Sequence, residues 1–437
     1  MLVRFSVENY LSFKDKVTLD LAADALKEKK DYVHVAYLHN PKLSLLKSIV
    51  LCGYNAFGKS NFIKAYDFFR KFTLTSFSYG KFSNEINVAP FSLNTETEGK
   101  PSFFEILFIL GNTKYRYGFE VSKINVQSEW LYYADGPVRE NILFQRIGQE
   151  FPELSKSWNK ESENRIMQGK LFVKPSNLFL SLLMEQDKIP RIDEIGRWIR
   201  GNVILTGNYA SIVNENVTSI YTKLEYRSAI LRFLESPELG FTSVFEKINK
   251  YVSGGNLVKE AANYLFESEM INFDLFTSHN IYDKNHNFVK KVEFDLIKNE
   301  SSGSIKYFIL ACYMAYVIKN SQLIWIDEFD SSLSTHLLSF LIKTYNSKTN
   351  NKAGSQMVFV SHNTVVLNKM LRRDQIWFVD KNKYGESSLV KGHTPKTPMR
   401  IDRSIEQDYR DGKVKGITNK NAKPKPPSLF DNDNTTG

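Results

Sequence analysis

The sequence predicts an α/β fold in which a mixed sheet is joined to an antiparallel β-subdomain and carries a helical insertion. Two runs, 49–51 and 323–326, are apolar at every position, as are strands buried on both faces of a parallel sheet. Alternating patterns predict antiparallel strands over 102–110, 115–121 and 127–133. Helical periodicity dominates after residue 150 and predicts the insertion.

The other elements follow from hydrophobic periodicity and turn residues along the chain. The N-terminal part is predicted to contain strands over 2–7 and 17–21, a surface loop over 26–42 and a helix over 60–72. The insertion is predicted to contain helices over 177–185, 192–199, 218–234, 244–251 and 258–266. The C-terminal part is predicted to contain strands over 288–297, 357–360 and 374–380 and helices over 303–319 and 334–344.

These patterns divide the chain into four parts. We expect an N-terminal lobe (1–150), a helical insertion (151–285), a C-terminal lobe (286–411) and a basic, disordered tail (412–437). The tail is rich in Lys, Asn and Pro, and these residues do not form a packed core.

Charge and cysteine content restrict the class of protein. The chain has 437 residues and a net charge of +10, which favours an anionic partner such as nucleic acid; a solvated basic tail is the alternative. Cys52 and Cys312 lie in separate apolar runs and indicate core residues in a reducing compartment. The start lacks a secretory pattern and no apolar run is long enough to span a bilayer, so we expect a cytoplasmic protein without membrane contact.

The stretch 48–64 carries the strongest functional signal. It matches the phosphate-loop pattern G-x-x-x-x-G-K-[ST] between an apolar strand and a helix, through Gly53, Gly58, Lys59 and Ser60. Such a loop binds phosphates through inward-facing N–H groups and a helix N-terminus. We expect Lys59 to contact the β- and γ-phosphates of ATP and the Ser60 hydroxyl to ligate Mg²⁺. The other predicted nucleotide-binding residues here are Asn55 and Asn61.

Acidic side chains follow the second apolar strand. Asp327 and Glu328 come directly after 323–326, and ligands bind at the carboxyl ends of parallel strands. We expect Asp327 to hold Mg²⁺ through water and Glu328 to act as general base for the attacking water. An isolated acidic pair is as often the start of a turn, but the phosphate loop upstream favours the functional interpretation. His362, after strand 357–360, can sense a γ-phosphate by hydrogen bonding, whereas a structural histidine is the alternative.

A shorter motif, Ser301-x-Gly303, begins the helix that precedes the acidic strand. A hydroxyl and free N–H groups at a helix start can bind phosphate, and a plain helix cap is the alternative. The order of these motifs resembles the ABC-type ATPases of the SMC, RecF and OLD-like group of AAA proteins. That resemblance implies an ABC-type ATPase head in which Ser301 and Gly303 contact ATP held by a second copy. It also implies that 330–333 is the D-loop and His362 the switch histidine.

Further stretches carry the resemblance towards particular groups. The opening 1–14 looks like the N-x-x-S-F strand of these ATPases, which lies near the nucleotide base. The RloA/AbiL-type abortive-infection ATPases are similar, with PARIS-type defence ATPases a close alternative, over 115–118, 129–131, 300–303, 327–330, 372–379 and 384–389. The chain departs from the pattern after the D-loop, where His-Pro is replaced by Ser334 and Thr335, and at 412–415. We place no Q-loop glutamine; the region near Pro90 is the candidate.

The resemblance implies an ATP-hydrolysing sensor or regulatory subunit of bacterial anti-phage defence. Its copies are expected to form a head-to-head homodimer, possibly a higher oligomer, and to control a separate nuclease-like effector encoded nearby. No nuclease motif is visible outside the ATPase motifs, so cleavage is expected from the partner. One alternative is a RecF-like DNA-repair ATPase that binds DNA in an ATP-dependent way. Another is a scaffold that binds nucleotide without hydrolysis, against which Glu328 argues. The neighbouring gene distinguishes defence from repair.

Overall fold

The structure, a computed structural model, describes residues 1–36, 43–78, 85–136, 139–155, 158, 160–186, 189–207, 209, 215–235, 237–249, 272–362 and 370–393. The strands are β1 (Leu2–Glu8), β2 (Val17–Asp20), β3 (Val33–Ala36), β4 (Leu43–Leu46), β5 (Ser48–Cys52), β6 (Ser102–Leu110), β7 (Thr113–Val121), β8 (Val126–Asp135), β9 (Asn141–Ile147), β10 (Glu150–Leu154), β11 (Val203–Leu205), β12 (Ser243–Asn249), β13 (Asn272–Tyr282), β14 (Phe288–Asp295), β15 (Leu323–Ile326), β16 (Gln356–Val360), β17 (Ile376–Lys381) and β18 (Ser387–Lys391). The helices are α1 (Lys59–Thr75), α2 (Lys160–Phe172), α3 (Phe179–Leu183), α4 (Pro190–Gly201), α5 (Glu215–Thr222), α6 (Leu224–Leu234), α7 (Leu296–Asn299), α8 (Ser302–Asn320) and α9 (Thr335–Asn346).

Two large sheets organise the described residues. One is antiparallel, with the strand order β10-β9-β8-β7-β6-β1-β2. The other has the order β11-β15-β16-β5-β17-β18, in which neighbouring strands are parallel except for the antiparallel pair β17 and β18. Smaller sheets join β12, β13 and β14, and β3 and β4. The predicted fold class, a mixed α/β head with an antiparallel subdomain, is confirmed.

The parallel strands separate two hydrophobic cores. Along β5, Ile49 and Leu51 face the core that contains α1 and the antiparallel sheet, whereas Val50 faces the core of α8 and α9. Trp325 of β15 stacks on Tyr66 of α1, with 4.5 Å between ring centroids. Because both faces are covered, β15 is apolar at every position and β5 is apolar after its first residue, Ser48. Their parallel register places the carboxyl ends of β5, β16 and β15 side by side at one edge.

Several predicted elements are confirmed with nearly the predicted bounds. β6 and β15 coincide with the predicted strands, and β1 pairs with β2 as expected. The phosphate-loop helix begins one residue earlier than predicted, at Lys59, and ends at Thr75. Among the described residues, none of the helices combines the length and apolar content needed to cross a membrane.

Some local predictions are wrong. Residues 243–249 form strand β12, not a helix, because the short apolar run satisfies either period and pairing with β13 selects the extended form. The helix predicted over 218–234 is two helices, since Lys223 between them is extended. The loop predicted over 26–42 contains β3, which pairs with β4. The helix predicted over 258–266 and the tail 412–437 lie outside the described residues.

Candidate functional site

The phosphate loop, 53–60, connects the buried strand β5 to helix α1. At Gly58 the backbone has φ 108°, and a Cβ atom there would lie 2.6 Å from the hydroxyls of Ser12 and Ser387. A Cβ at Gly53 would lie 2.5 Å from the carbonyl oxygen of Val379. The loop therefore needs glycine at both positions because neighbouring strands and turns pack directly against its backbone.

Lys59 lies inside this loop and is 5% exposed. Its Nζ donates to the carbonyl oxygens of Gly53 and Tyr54, both at 2.8 Å. Burial lowers the pKa of Lys59, and the carboxylates of Asp327 and Asp330 oppose that shift. The ammonium group is thus positioned at the loop, and the acidic side chains that follow β15 interact with it electrostatically.

Residues that follow three adjacent parallel strands line one cavity of about 260 Å³. The lining consists of Asn55, Ala56, Gly58, Lys59, Ser60, Asn61, Glu328 and His362. The structure therefore brings the predicted phosphate loop, the predicted general base and the predicted switch histidine together. The start of α1 adds the positive end of a helix dipole, which favours an anion in this cavity.

Asp327 and Ser60 supply oxygen ligands of the kind that Mg²⁺ prefers. Ser60 lines the cavity, and Asp327 follows β15, with its N–H donating to the carbonyl of Leu205 at 2.9 Å. Asp327 Oδ1 also accepts the N–H of Glu328 at 3.1 Å. Protein sites hold Mg²⁺ with one or two side chains together with substrate phosphates, and both residues are of a type that suits the ion. Ser60 lines the cavity, whereas Asp327 is not among its lining residues.

A backbone contact connects the two strand ends that carry Glu328 and His362. The N–H of Phe329 donates to the carbonyl oxygen of Val360 at 2.9 Å. The N–H of His362 donates to Oδ2 of Asp330, also at 2.9 Å. The segment after β15 therefore runs along the end of β16 and determines where His362 lies.

Ser301 and Gly303 lie apart from this cavity within the chain. Ser301 is exposed, and its hydroxyl accepts the N–H of Ser304 at 3.1 Å, which caps α8. A Cβ at Gly303 would lie 2.4 Å from the carbonyl oxygen of Ser332, so the helix start packs on the backbone of the loop after β15. Their neighbours line a second cavity of about 360 Å³, which includes Glu300, Ser302, Lys306, Ser331 and Ser332.

Sequence reasoning missed residues that support the phosphate loop from outside. Ser387 donates through its hydroxyl to the carbonyl of Phe57 and through its N–H to the carbonyl of Ser12, both at 2.7 Å. The side-chain amide of Asn61 donates to the Ser12 hydroxyl at 2.9 Å. Ser12 and Ser387 lie in the stretches 1–14 and 384–389, which resemble the ATPase family. That resemblance was the only sequence signal that could have pointed to them.

Lys306 is a second missed residue. It is buried and donates to backbone carbonyls of the loop after β15. No motif pointed to it, because the residues around a lysine in an apolar helix do not indicate which distant groups it will contact.

Comparison with known proteins gives one match to a family model and a set of similar structures. Residues 48–167 match the family described as "AAA domain, putative AbiEii toxin, Type IV TA system". No curated protein sequence matches the chain. The SMC head domain from Thermotoga maritima is similar at 13% identity and a TM-score of 0.41, covering 90% of this chain and 99% of that one.

The SMC head bound to the C-terminal winged-helix domain of ScpA is similar at 14% identity and a TM-score of 0.43, covering 90% and 98% of the two chains. The phosphate-loop part of the chain is thus similar to AAA ATPase domains of the AbiEii type. The narrower resemblance to RloA/AbiL-type or PARIS-type proteins stays a prediction.

Proposed function

We propose that this chain is an ABC-type ATPase that binds and hydrolyses ATP with Mg²⁺ between two head-to-head copies. The observation that carries the proposal is the single cavity lined by the phosphate loop, Glu328 and His362. The lysine and the helix N-terminus provide positive charge for binding phosphate. The carboxylate and the imidazole can accept or donate protons and hydrogen bonds during hydrolysis.

Each residue of the cavity has a role in this proposal. The loop N–H groups and Lys59 bind the β- and γ-phosphates. Ser60 and Asp327 hold Mg²⁺, which when bound neutralises charge on the phosphate oxygens. Glu328 accepts a proton from the attacking water, and His362 hydrogen-bonds the γ-phosphate.

The position of Ser301 and Gly303 supports a dimer. Both lie at the start of α8, outside the cavity of their own chain, and Ser301 is exposed. A helix start with an exposed hydroxyl suits the phosphates of a nucleotide presented by another molecule. In the proposed dimer each copy therefore completes the site of the other, and two Mg-ATP molecules lie between the heads.

The biological role that we propose is control of a separate nuclease-like effector in bacterial anti-phage defence. The family matched by residues 48–167 is described by a putative toxin and a toxin–antitoxin system, which supports a partner-dependent toxic output. The acidic residues singled out in this chain, Asp327 and Glu328, are assigned to nucleotide chemistry, so the chain itself is proposed not to cut nucleic acid.

The test pairs a biochemical assay with a cellular one. The purified chain is expected to hydrolyse ATP and to leave DNA, RNA and tRNA intact with Mg²⁺ or Mn²⁺. Expressed with its neighbouring gene, it is expected to arrest growth on phage infection, and Lys59→Ala and Glu328→Gln are expected to abolish the arrest. Robust cleavage of nucleic acid by the isolated chain, unaffected by either substitution, would contradict the proposal that a separate effector carries out the cleavage. Tight, ATP-responsive DNA binding without a defence phenotype would favour a RecF-like repair role instead.

A further inference from the structure

Lys306 connects helix α8 to the loop that carries Glu328. Its side chain is buried, with 2% of the residue exposed. The Nζ atom donates to the carbonyl oxygen of Glu328 at 2.5 Å and to the carbonyl oxygen and hydroxyl of Ser331 at 2.8 and 2.7 Å. One buried ammonium group thus binds three oxygens of the segment between β15 and α9.

Other contacts of α8 and its surroundings fix the same segment. Gly303, one helical turn before Lys306, packs on the carbonyl oxygen of Ser332. The hydroxyl of Tyr209 donates to the carbonyl oxygen of Asp327 at 3.1 Å, and Lys306 Nζ lies 4.6 Å from the centre of the Tyr209 ring. The backbone oxygens of residues 327, 328, 331 and 332 are therefore all in contact with groups outside their own loop.

The loop needs such support because its backbone is strained. Glu328 has φ 50° and Ser332 has φ 61°, which is the left-handed region that side chains other than glycine rarely adopt. Residues with this geometry persist where surrounding contacts determine the backbone. Lys306 binds the carbonyl of the first strained residue, and Gly303 packs on the carbonyl of the second.

We propose that Lys306 is a positioning residue: by holding the backbone oxygen of Glu328 against helix α8, it fixes where the Glu328 carboxylate lies. The inference rests on the proposed ATPase function and names a residue that positions its general base. The same helix carries Gly303 in its first turn and is capped by Ser301, where the proposed dimer places the second nucleotide.

The three hydrogen bonds of Lys306 depend on its charged, fully protonated form. Burial lowers its pKa to about 8, whereas Asp330, Glu328 and Asp327 favour the charged form. These three carboxylates and the Tyr209 ring are the charged and titratable groups that act on the ammonium group among the described residues. Above this pKa the ammonium group loses a proton and one donor, so the turnover number kcat is expected to fall as pH rises through about 8.

The experiment compares Lys306→Met, Lys306→Arg and the control Lys319→Met in the full chain. Lys319 lies at the exposed end of the same helix, so its substitution removes the same charge away from the loop. Misplacement of a catalytic group by about 1 Å costs roughly 100-fold in rate. We expect Lys306→Met to lower kcat at least about tenfold, with the Kd for ATP changed less than about twofold. Lys306→Arg should recover part of kcat and lose the decline near pH 8, and Lys319→Met should behave as the wild type.

Some results would overturn the inference. Wild-type kcat in Lys306→Met, or a pH profile of Lys306→Arg identical to that of the wild type, would show that Lys306 does not position Glu328. A parallel loss of ATP affinity and kcat would assign it a general structural role. If Lys306→Met does not fold, the pH profiles of the wild type and Lys306→Arg still decide the question. Absence of hydrolysis by the wild type would instead overturn the proposed function, and this inference with it.

Discussion

The backbone N–H of His362 donates to Oδ2 of Asp330 at 2.9 Å, although the two residues follow different strands of the parallel sheet. This contact connects the loop after β15 to His362, which lines the cavity together with Glu328. The loop after β15 is thus connected to the histidine that the proposed mechanism assigns to the γ-phosphate.

Asp330→Ala should therefore slow hydrolysis without weakening ATP binding. The variant removes the acceptor for the His362 N–H, and a hydrogen bond to a charged group contributes about 1.5–3 kcal/mol. We expect kcat to fall by about tenfold or more while the Kd for ATP changes little. Asp330→Asn retains an acceptor oxygen and should keep more of the activity. Equal losses in both variants would show that the negative charge of Asp330, not the contact with His362, matters.

Lys59→Ala should weaken ATP binding by about tenfold or more, which corresponds to about 1.4 kcal/mol. The substitution removes the buried cation of the phosphate loop, and equilibrium binding of a fluorescent ATP analogue measures the change. Lys64→Ala is the matched control, because Lys64 is exposed on the same helix. Unchanged affinity in Lys59→Ala would mean that the loop does not bind the phosphates.

Ser301→Arg should block hydrolysis while leaving ATP binding by each copy largely intact. The arginine is large and lies at the exposed start of α8, where the proposed dimer places the second nucleotide. Mixing Ser301→Arg with Lys59→Ala copies gives dimers with one doubly defective site and one intact site, so partial activity should return. If mixed dimers form, as verified by mass, but ATPase activity does not return, the result would count against a shared site in which each site hydrolyses ATP independently.

Glu129→Ala should destabilise the fold strongly. The side chains of Glu129 and Arg146 are fully buried and 3.7 Å apart, and Glu129 also accepts the N–H of Phe179 at 2.6 Å at the start of α3. Removing one partner leaves a buried charge without compensation, which costs about 3–5 kcal/mol. Chemical denaturation measures the loss. The exposed Glu153→Ala should change stability by less than about 0.5 kcal/mol, and a similarly small change in Glu129→Ala would contradict this account.

The elements that the sequence predicts well are those whose pattern is set locally. β5 and β15 are buried on both faces and are therefore apolar, apart from Ser48 at the start of β5. The glycines of the phosphate loop mark the turn between β5 and α1. Their positions in one parallel sheet bring Glu328 and His362 to the same edge as Lys59.

Other features depend on contacts between distant residues. Strand β12 is extended because it pairs with β13, since its own residues suit a helix equally well. Ser12 and Ser387 meet at the phosphate loop although they are 375 positions apart in the sequence (387 − 12). The buried Lys306 is another case, because only the fold shows that its partners are the carbonyls of Glu328 and Ser331. Local patterns do not encode such pairs.

The most direct test of the central claim is the mass of the Glu328→Gln variant, measured by light scattering with ATP and with ADP. The substitution keeps the shape of the side chain but removes the base, so bound ATP should persist between the heads. We predict that the mass at least doubles with ATP and Mg²⁺ and stays that of a monomer with ADP. Adding Ser301→Arg to Glu328→Gln should abolish the increase. A variant that binds ATP and remains monomeric would contradict the shared site.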